Sequence, residues 1–253
     1  MTFDHPTPDQ YPLLKQLWKT AFGDTEDFLA AFFETAFSPL RCRIALIDGE
    51  TAGMLYWFDV SCGGQKMAYL YAVATHPSHQ GKGVCRSLMA DTHALLKQQG
   101  YSAALLVPQS EALRKMYAAF GYRSCTTVSE TFCACGDSPV EIHRIDPVEF
   151  VRLRREYLPE GSILQEGENL RFLATQVRFY RGSDFLLAAQ ETEPDTLFGA
   201  ELLGSTAAAP GILKALGCSQ GTFRTPGTRM PFAMLLPLTA DAAVPAYFGF
   251  PFD

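Results

Sequence analysis

The stretch that most constrains this chain runs from Tyr69 to Met89 and reads YLYAVATHPSHQGKGVCRSLM. An apolar, strand-forming run ends near Thr75. A short loop follows with glycines at 81 and 83, and a helix opens at Val84. The first turn of a helix carries backbone N–H groups without intrahelical partners and a partial positive charge. Glycines there let the backbone turn tightly and approach a phosphate closely. The order strand, glycine loop, helix is therefore that of an anion site. It is also that of a plain strand-to-helix turn, so the surroundings must decide. The loop is not a P-loop, because G-x-x-x-x-G-K-[ST] is absent, and Arg86 breaks G-x-G-x-x-G.

The flanking sequence supplies a mixed sheet. Asp9 to Phe22 places Leu13, Leu14, Leu17, Trp18, Ala21 and Phe22 at helical spacing, with Gly23 as a stop. Thr25 is a candidate cap for a second helix to Phe37, whose Phe28, Phe32 and Phe33 read as packing. Strands are expected over 41–47, 51–62 and 66–75, joined by Asp48-Gly49 and Gly63-Gly64 turns. A helix over 84–99, a buried strand over 103–107, a helix over 110–120 and an extended segment over 122–132 follow. The change from hairpins to a crossover helix implies a mixed, mostly antiparallel sheet with flanking helices.

A second series repeats that outline without sequence identity. A strand is expected over 140–145. Asp146 caps a helix with Pro147 at its first position, and another helix is expected over 168–180. Strands over 185–190 and 196–203 and a helix over 208–216 follow, and three short strands over 222–224, 232–238 and 246–252 close the chain. We read residues 133–253 as a degenerate copy of the fold of residues 1–132, with an unrelated accessory domain as the alternative.

The chain resembles the GNAT superfamily of N-acetyltransferases. That family's pyrophosphate loop reads Q/R-x-x-G-x-G/A, and Gln80-Gly81-Lys82-Gly83-Val84-Cys85 departs from it only at Cys85. Thr75-His76-Pro77 resembles the family's V-x-P strand exit. Ser110-Glu-Ala-Leu-Arg-Lys-Met-Tyr117-Ala-Ala-Phe-Gly121-Tyr122 is similar to its N-x-x-A-x-x-L-Y-x-x-x-G-F, with Ser110 in place of asparagine. The closest branch is the enhanced-intracellular-survival type, in which a catalytic domain is followed by a degenerate second copy. The resemblance implies acetyl-CoA as co-substrate, bound by Val73, Ala74, Thr75, the 80–85 loop and Ser110. It implies Tyr117 as general acid and direct acetyl transfer to a small-molecule or peptide amine. It also implies a C-terminal carboxylate, here Asp253, as a base in the active site; should that fail, the base is sought on the sheet, with Glu130 our next candidate. A non-catalytic acyl-CoA sensor on the same fold is the rival reading.

Composition narrows the partners. The formal net charge of −6 argues against nucleic acid and anionic membranes. No apolar run reaches the ~18 residues of a membrane span, and the N-terminus does not read as a signal peptide. Seven scattered cysteines read as free thiols in a reducing cytoplasm. His76 and His79 are spaced H-x-x-H around a proline, which does not suit zinc, and no metal is expected. The sequence does not fix the oligomeric state.

Overall fold

The computed structural model describes residues 1–250. In chain order the first elements are β1 (Thr2–Asp4), α1 (Tyr11–Phe22), α2 (Glu26–Thr35), β2 (Cys42–Ile47), β3 (Glu50–Cys62), β4 (Gln65–Thr75), α3 (Val84–Gln98), β5 (Ala103–Leu106), α4 (Glu111–Ala118) and β6 (Arg123–Ser124). They continue as β7 (Thr127–Ala134), β8 (His143–Ile145), α5 (Pro147–Tyr157), α6 (Glu168–Gln176), β9 (Arg178–Arg181), β10 (Phe185–Glu193), β11 (Thr196–Gly204), α7 (Ala209–Leu216), β12 (Gln220–Pro226), β13 (Met230–Pro231) and β14 (Met234–Pro237).

Two compact units result. One comprises residues 1–123, 167–172 and 234–243; the other comprises 124–166, 173–233 and the described residues from 244 onward. The first sheet is ordered β1-β2-β3-β4-β5-β14-β6 and the second β8-β9-β10-β11-β12-β7-β13. The orders correspond strand for strand, which makes the second sheet a copy of the first. In each sheet the sixth strand comes from the other half of the chain: β14 pairs with β5, and β7 pairs with β12. The extended segment expected over 122–132 is thus two strands on different sheets.

In the first unit the α3 face of the sheet carries a core that includes Leu55, Trp57, Leu70, Leu88, Tyr101, Leu106, Tyr117 and Met234. The opposite face is aromatic. Phe32 is fully buried between Trp18, Tyr56, Phe58 and Phe172, and Phe33 stacks on Phe37 at 4.4 Å. Thr25 caps α2 as expected, accepting from the Phe28 N–H at 3.2 Å. Beyond Tyr56, β3 outruns β2, and its edge is closed by side chains. Glu168 accepts from the Asp59 N–H at 3.1 Å, and Asn169 donates to the Asp59 carbonyl at 3.0 Å. These contacts satisfy backbone groups that would otherwise be buried unpaired.

Two further expectations need correction. The helix expected over 168–180 ends at Gln176, and residues 178–181 form β9, because pairing with β8 and β10 outweighs the helical spacing. The terminal strand expected over 246–252 is absent from the described part of that segment. Tyr247, Phe248 and Phe250 are buried all the same, held by the loop before α6. The Ile163 N–H donates to the Tyr247 carbonyl at 2.8 Å, and Gln165 donates to the Phe250 carbonyl. Finally, β1, paired with β2, carries too short a pattern to be read from sequence.

Candidate active site

The site begins where two parallel neighbours part. β4 and β5 pair only at Met67↔Ala103, Ala68↔Ala104 and Tyr69↔Leu105, yet β4 runs on to Thr75. Toward β3 the pairing is interrupted. Met54 opposes Ala74 and Tyr56 opposes Tyr71, so Ala72 and Val73 together face Leu55. This is a β-bulge, a device that bends a strand and re-aims its backbone. Ala72 sits in it at φ 50°, in the left-handed region that costs a non-glycine residue about 1 kcal/mol or more. Val73, Ala74 and Thr75 thus lie on the stretch of β4 that has left β5.

The loop after β4 is built for close approach. Gly81 and Gly83 have φ of 73° and 78°, and a Cβ at either would stand in open space. Gly83 is the N-cap of α3. Gln80 donates from Nε2 to the Thr75 carbonyl at 3.4 Å, and the Lys82 Nζ is tied to the Ser78 carbonyl at 2.8 Å. That ties both side chains back to the loop. Val84 is buried on the core side, and Gly53 of β3 admits it. A Cβ on Gly53 would come within 3.2 Å of Val84 Cγ1 and 3.0 Å of the Ala74 carbonyl oxygen. The absence of a side chain there seats the first turn of α3 against the strand end.

Tyr117 and Cys85 both pack into the core that holds this turn. Tyr117 is buried, with rings of Tyr122 at 5.9 Å and Phe120 at 6.2 Å. Burial, with a smaller contribution from Cys85, raises its pKa well above the ordinary phenol value. The Cys85 thiol touches Met89 Sδ at 4.0 Å, and burial pushes its pKa up to about 11. A helix N-terminus ordinarily favours a thiolate, but desolvation wins here, so Cys85 is a protonated packing residue at neutral pH. Ser110 caps α4: its Oγ accepts from the Leu113 N–H at 3.2 Å, which leaves its hydroxyl proton to donate elsewhere. Tyr122 belongs to the same core, and its hydroxyl lies 2.7 Å from His93 Nε2.

Glu130 is on β7 of the second sheet, 3.0 Å from the Arg224 Nε. Asp253 lies outside the described residues. Among the described residues there is no cluster of three or more metal-ligating side chains, and no helix is long and apolar enough to cross a membrane. Sequence reasoning did not single out the bulge at Ala72, since a bulge leaves no composition signature when the residue is alanine.

A mixed sheet with a bulged, splayed fourth strand, a glycine-capped helix and a second copy of the same order defines a tandem GNAT architecture. Residues 2–125 match the model of the acetyltransferase (GNAT) domain, and that segment is a GNAT domain. Over 143 residues it is 28% identical to N-acetyltransferase Eis of Mycobacterium tuberculosis and of Mycobacterium bovis. The match takes in 51% of this chain but only 34% of those proteins, so the chain spans about a third of the length of the curated relatives it matches. Among solved structures it is similar to a GCN5-related N-acetyltransferase from Anabaena variabilis, with TM-score 0.72 and 14% identity, over 94% of this chain and 73% of that one. It is also similar to Eis1 from Mycobacterium abscessus, with TM-score 0.68 and 15% identity, over 94% and 74%. At such identities these structures show the fold, and both halves of the chain take part in it.

Proposed function

We propose that the first unit is an acetyl-CoA-dependent N-acetyltransferase acting on an amine. The observation that carries this is the junction of the β4–β5 splay with an open, glycine-capped helix start. Donors for a diphosphate and donors for a thioester carbonyl then lie along one path. Residues Gln80 to Cys85 would hold the diphosphate through backbone N–H groups, where an added Cβ would intrude on the ligand's space. Val73 to Thr75, past the last β5 pairing, would offer backbone donors to the carbonyl oxygen as it gains charge, and Ser110 would donate to the cofactor from the start of α4.

The chemistry asks two further things of the protein. An alkyl ammonium of pKa ~10.4 is neutral in only about 1 molecule in 2,500 at pH 7, a cost of ~4.6 kcal/mol, so its proton must be drawn off by a base or water relay. Asp253 is the base the family resemblance implies. The thiolate leaving group must be stabilised, and Tyr117 is the donor of choice. Its raised pKa keeps it protonated at every physiological pH. It also makes full proton transfer to a thiolate of pKa about 8.5 uphill, so Tyr117 acts chiefly by hydrogen-bonding the sulfur as the C–S bond breaks.

The test is thiol release from acetyl-CoA with a panel of amines: a linear polyamine, an aminosugar and a peptide N-terminus, with products checked by mass spectrometry. Acetylated product with at least one acceptor is expected. Tight CoA binding with no acceptor-dependent thiol release would favour the non-catalytic sensor instead.

A further inference from the structure

We propose that the second unit carries a binding site for a small phosphorylated polyol, a sugar phosphate or mononucleotide, in the cavity between β8–β10 and the C-terminal end of α7. The cavity lies beyond the end of α7, which is short. α3 has 15 residues and lies over β2 to β5; α7 occupies the corresponding place after β11 but has 8 and lies over β7 and β12. Seven residues fewer make it about 10 Å shorter. Toward the sheet edge Arg144 and Arg178 are exposed and Tyr180 is half-buried, and a space of about 670 Å³ lies between them and the end of α7.

Two arginines line that space. Arg144 of β8 pairs with Tyr180 of β9, and Arg178 stands two residues before Tyr180, so all three share one face of the sheet. Diagonal neighbours of this kind lie about 7–8 Å apart at Cα, close enough for both guanidinium groups to reach one anion. Neither arginine has a carboxylate partner among the described residues. On the same sheet Arg181 pairs with Glu149 at 3.3 Å and Arg224 with Glu130 at 3.0 Å. Two like charges side by side repel, and a dianion between them removes that penalty.

The rest of the lining chooses the body of the ligand. Gln176, Gln190 and Glu191 supply donors and acceptors suited to hydroxyl groups, and the Tyr180 ring and Leu216 give a small apolar floor. The Glu191 carboxylate and the α7 C-terminus oppose a ligand that is anionic throughout. They favour one with its charge at one end and hydroxyls at the other.

The test is calorimetric titration of the whole chain with ribose 5-phosphate; binding at the glycine loop of the first unit would not respond to substitutions on β8 and β9 and is told apart by them. Saturable binding is expected, weakened at least tenfold in the Arg144→Gln/Arg178→Gln double variant, while ribose alone binds at least tenfold more weakly. A variant that still melts cooperatively and retains CoA affinity shows that the loss is local. No saturable binding to the wild-type chain overturns the proposal. So does a double variant within twofold of wild type, or ribose binding as well as its phosphate.

Discussion

Gly83 and Gly100 lie at opposite ends of α3 and provide a matched pair of perturbations. Their φ angles are 78° and 80°, and a Cβ at either meets nothing within 4 Å. Alanine at either position therefore costs the same thing, the left-handed strain of an L-residue, about 1–2 kcal/mol. For a chain of this size that is a fall in Tm of roughly 2–8 °C, and we expect it of both variants. Only at Gly83 does the new methyl group stand where a diphosphate would rest on the helix start. Lifting the diphosphate away from two backbone N–H groups loses two charge-assisted hydrogen bonds at about 1.5–3 kcal/mol each. The expected loss of CoA affinity for Gly83→Ala is thus about 10²–10⁴-fold, against none for Gly100→Ala. Thermal melts followed by calorimetric titration with CoA separate the two effects. Equal Tm shifts with affinity within threefold of wild type for Gly83→Ala would refute the cradle. Equal affinity losses in both variants would show that stability, not geometry, governs binding.

Tyr117→Phe keeps the ring and removes the donor, so we expect an unchanged melting curve and a kcat lower by about 10²–10³-fold, measured by thiol release. Wild-type turnover would make Tyr117 a core residue only. His93 supplies a pH test of the same core. Burial lowers its pKa to about 4 from 6.5, so on acidification the unfolded chain takes up the proton first. Stability should be fully present above about pH 6.5 and fall by up to about 3 kcal/mol as the pH drops towards 4. Urea unfolding at several pH values reads this out, and His93→Gln should flatten the profile over that window.

The sequence was most legible where local rules decide the structure. The glycine loop, the Thr25 and Ser110 caps and the first three hairpin strands all follow from residue chemistry that acts within a few positions. It was least legible where partners lie far away in the chain. Nothing in TVSETFCA says that β7 pairs with β12 instead of β5, because either neighbour offers the same ladder and the same alternating pattern. The protonation of Cys85 is likewise out of reach of the sequence: a helix start lowers a thiol pKa, but burial, which raises it more here, is a tertiary property. The bulge at Ala72 depends on one extra residue relative to β3 and can be recognised only once the register is known.

The duplicated fold shows which parts of the site belong to the architecture and which to the sequence. The second unit keeps the splay: β11 pairs with β12 only over 196–199 and runs on to Gly204. It also keeps the bulge, since Ala188 opposes Glu201 and Ala189 opposes Gly199, leaving Ala200 extra. What differs is the helix start. At the start of α7, Pro210 has no N–H to offer, and the segment from Gly136 to Val140 is bonded to the Pro210 and Gly211 carbonyls. Beside the bulge, Glu201 is fully buried, accepting from Arg154 Nε at 2.6 Å and Nη2 at 2.9 Å, and Arg154 is further held by Gln165. A buried pair of this kind fills the space beside the second bulge, and its worth lies in being complete. Glu201→Gln leaves the arginine charge buried without its counter-charge and should destabilise the chain by about 3–5 kcal/mol, whereas Arg154→Met with Glu201→Leu should recover most of that loss. Urea unfolding of both variants, read alongside CoA affinity, tests the argument. A single variant as stable as wild type would mean that the pair is solvated, and the space beside the second bulge would then have to be considered open.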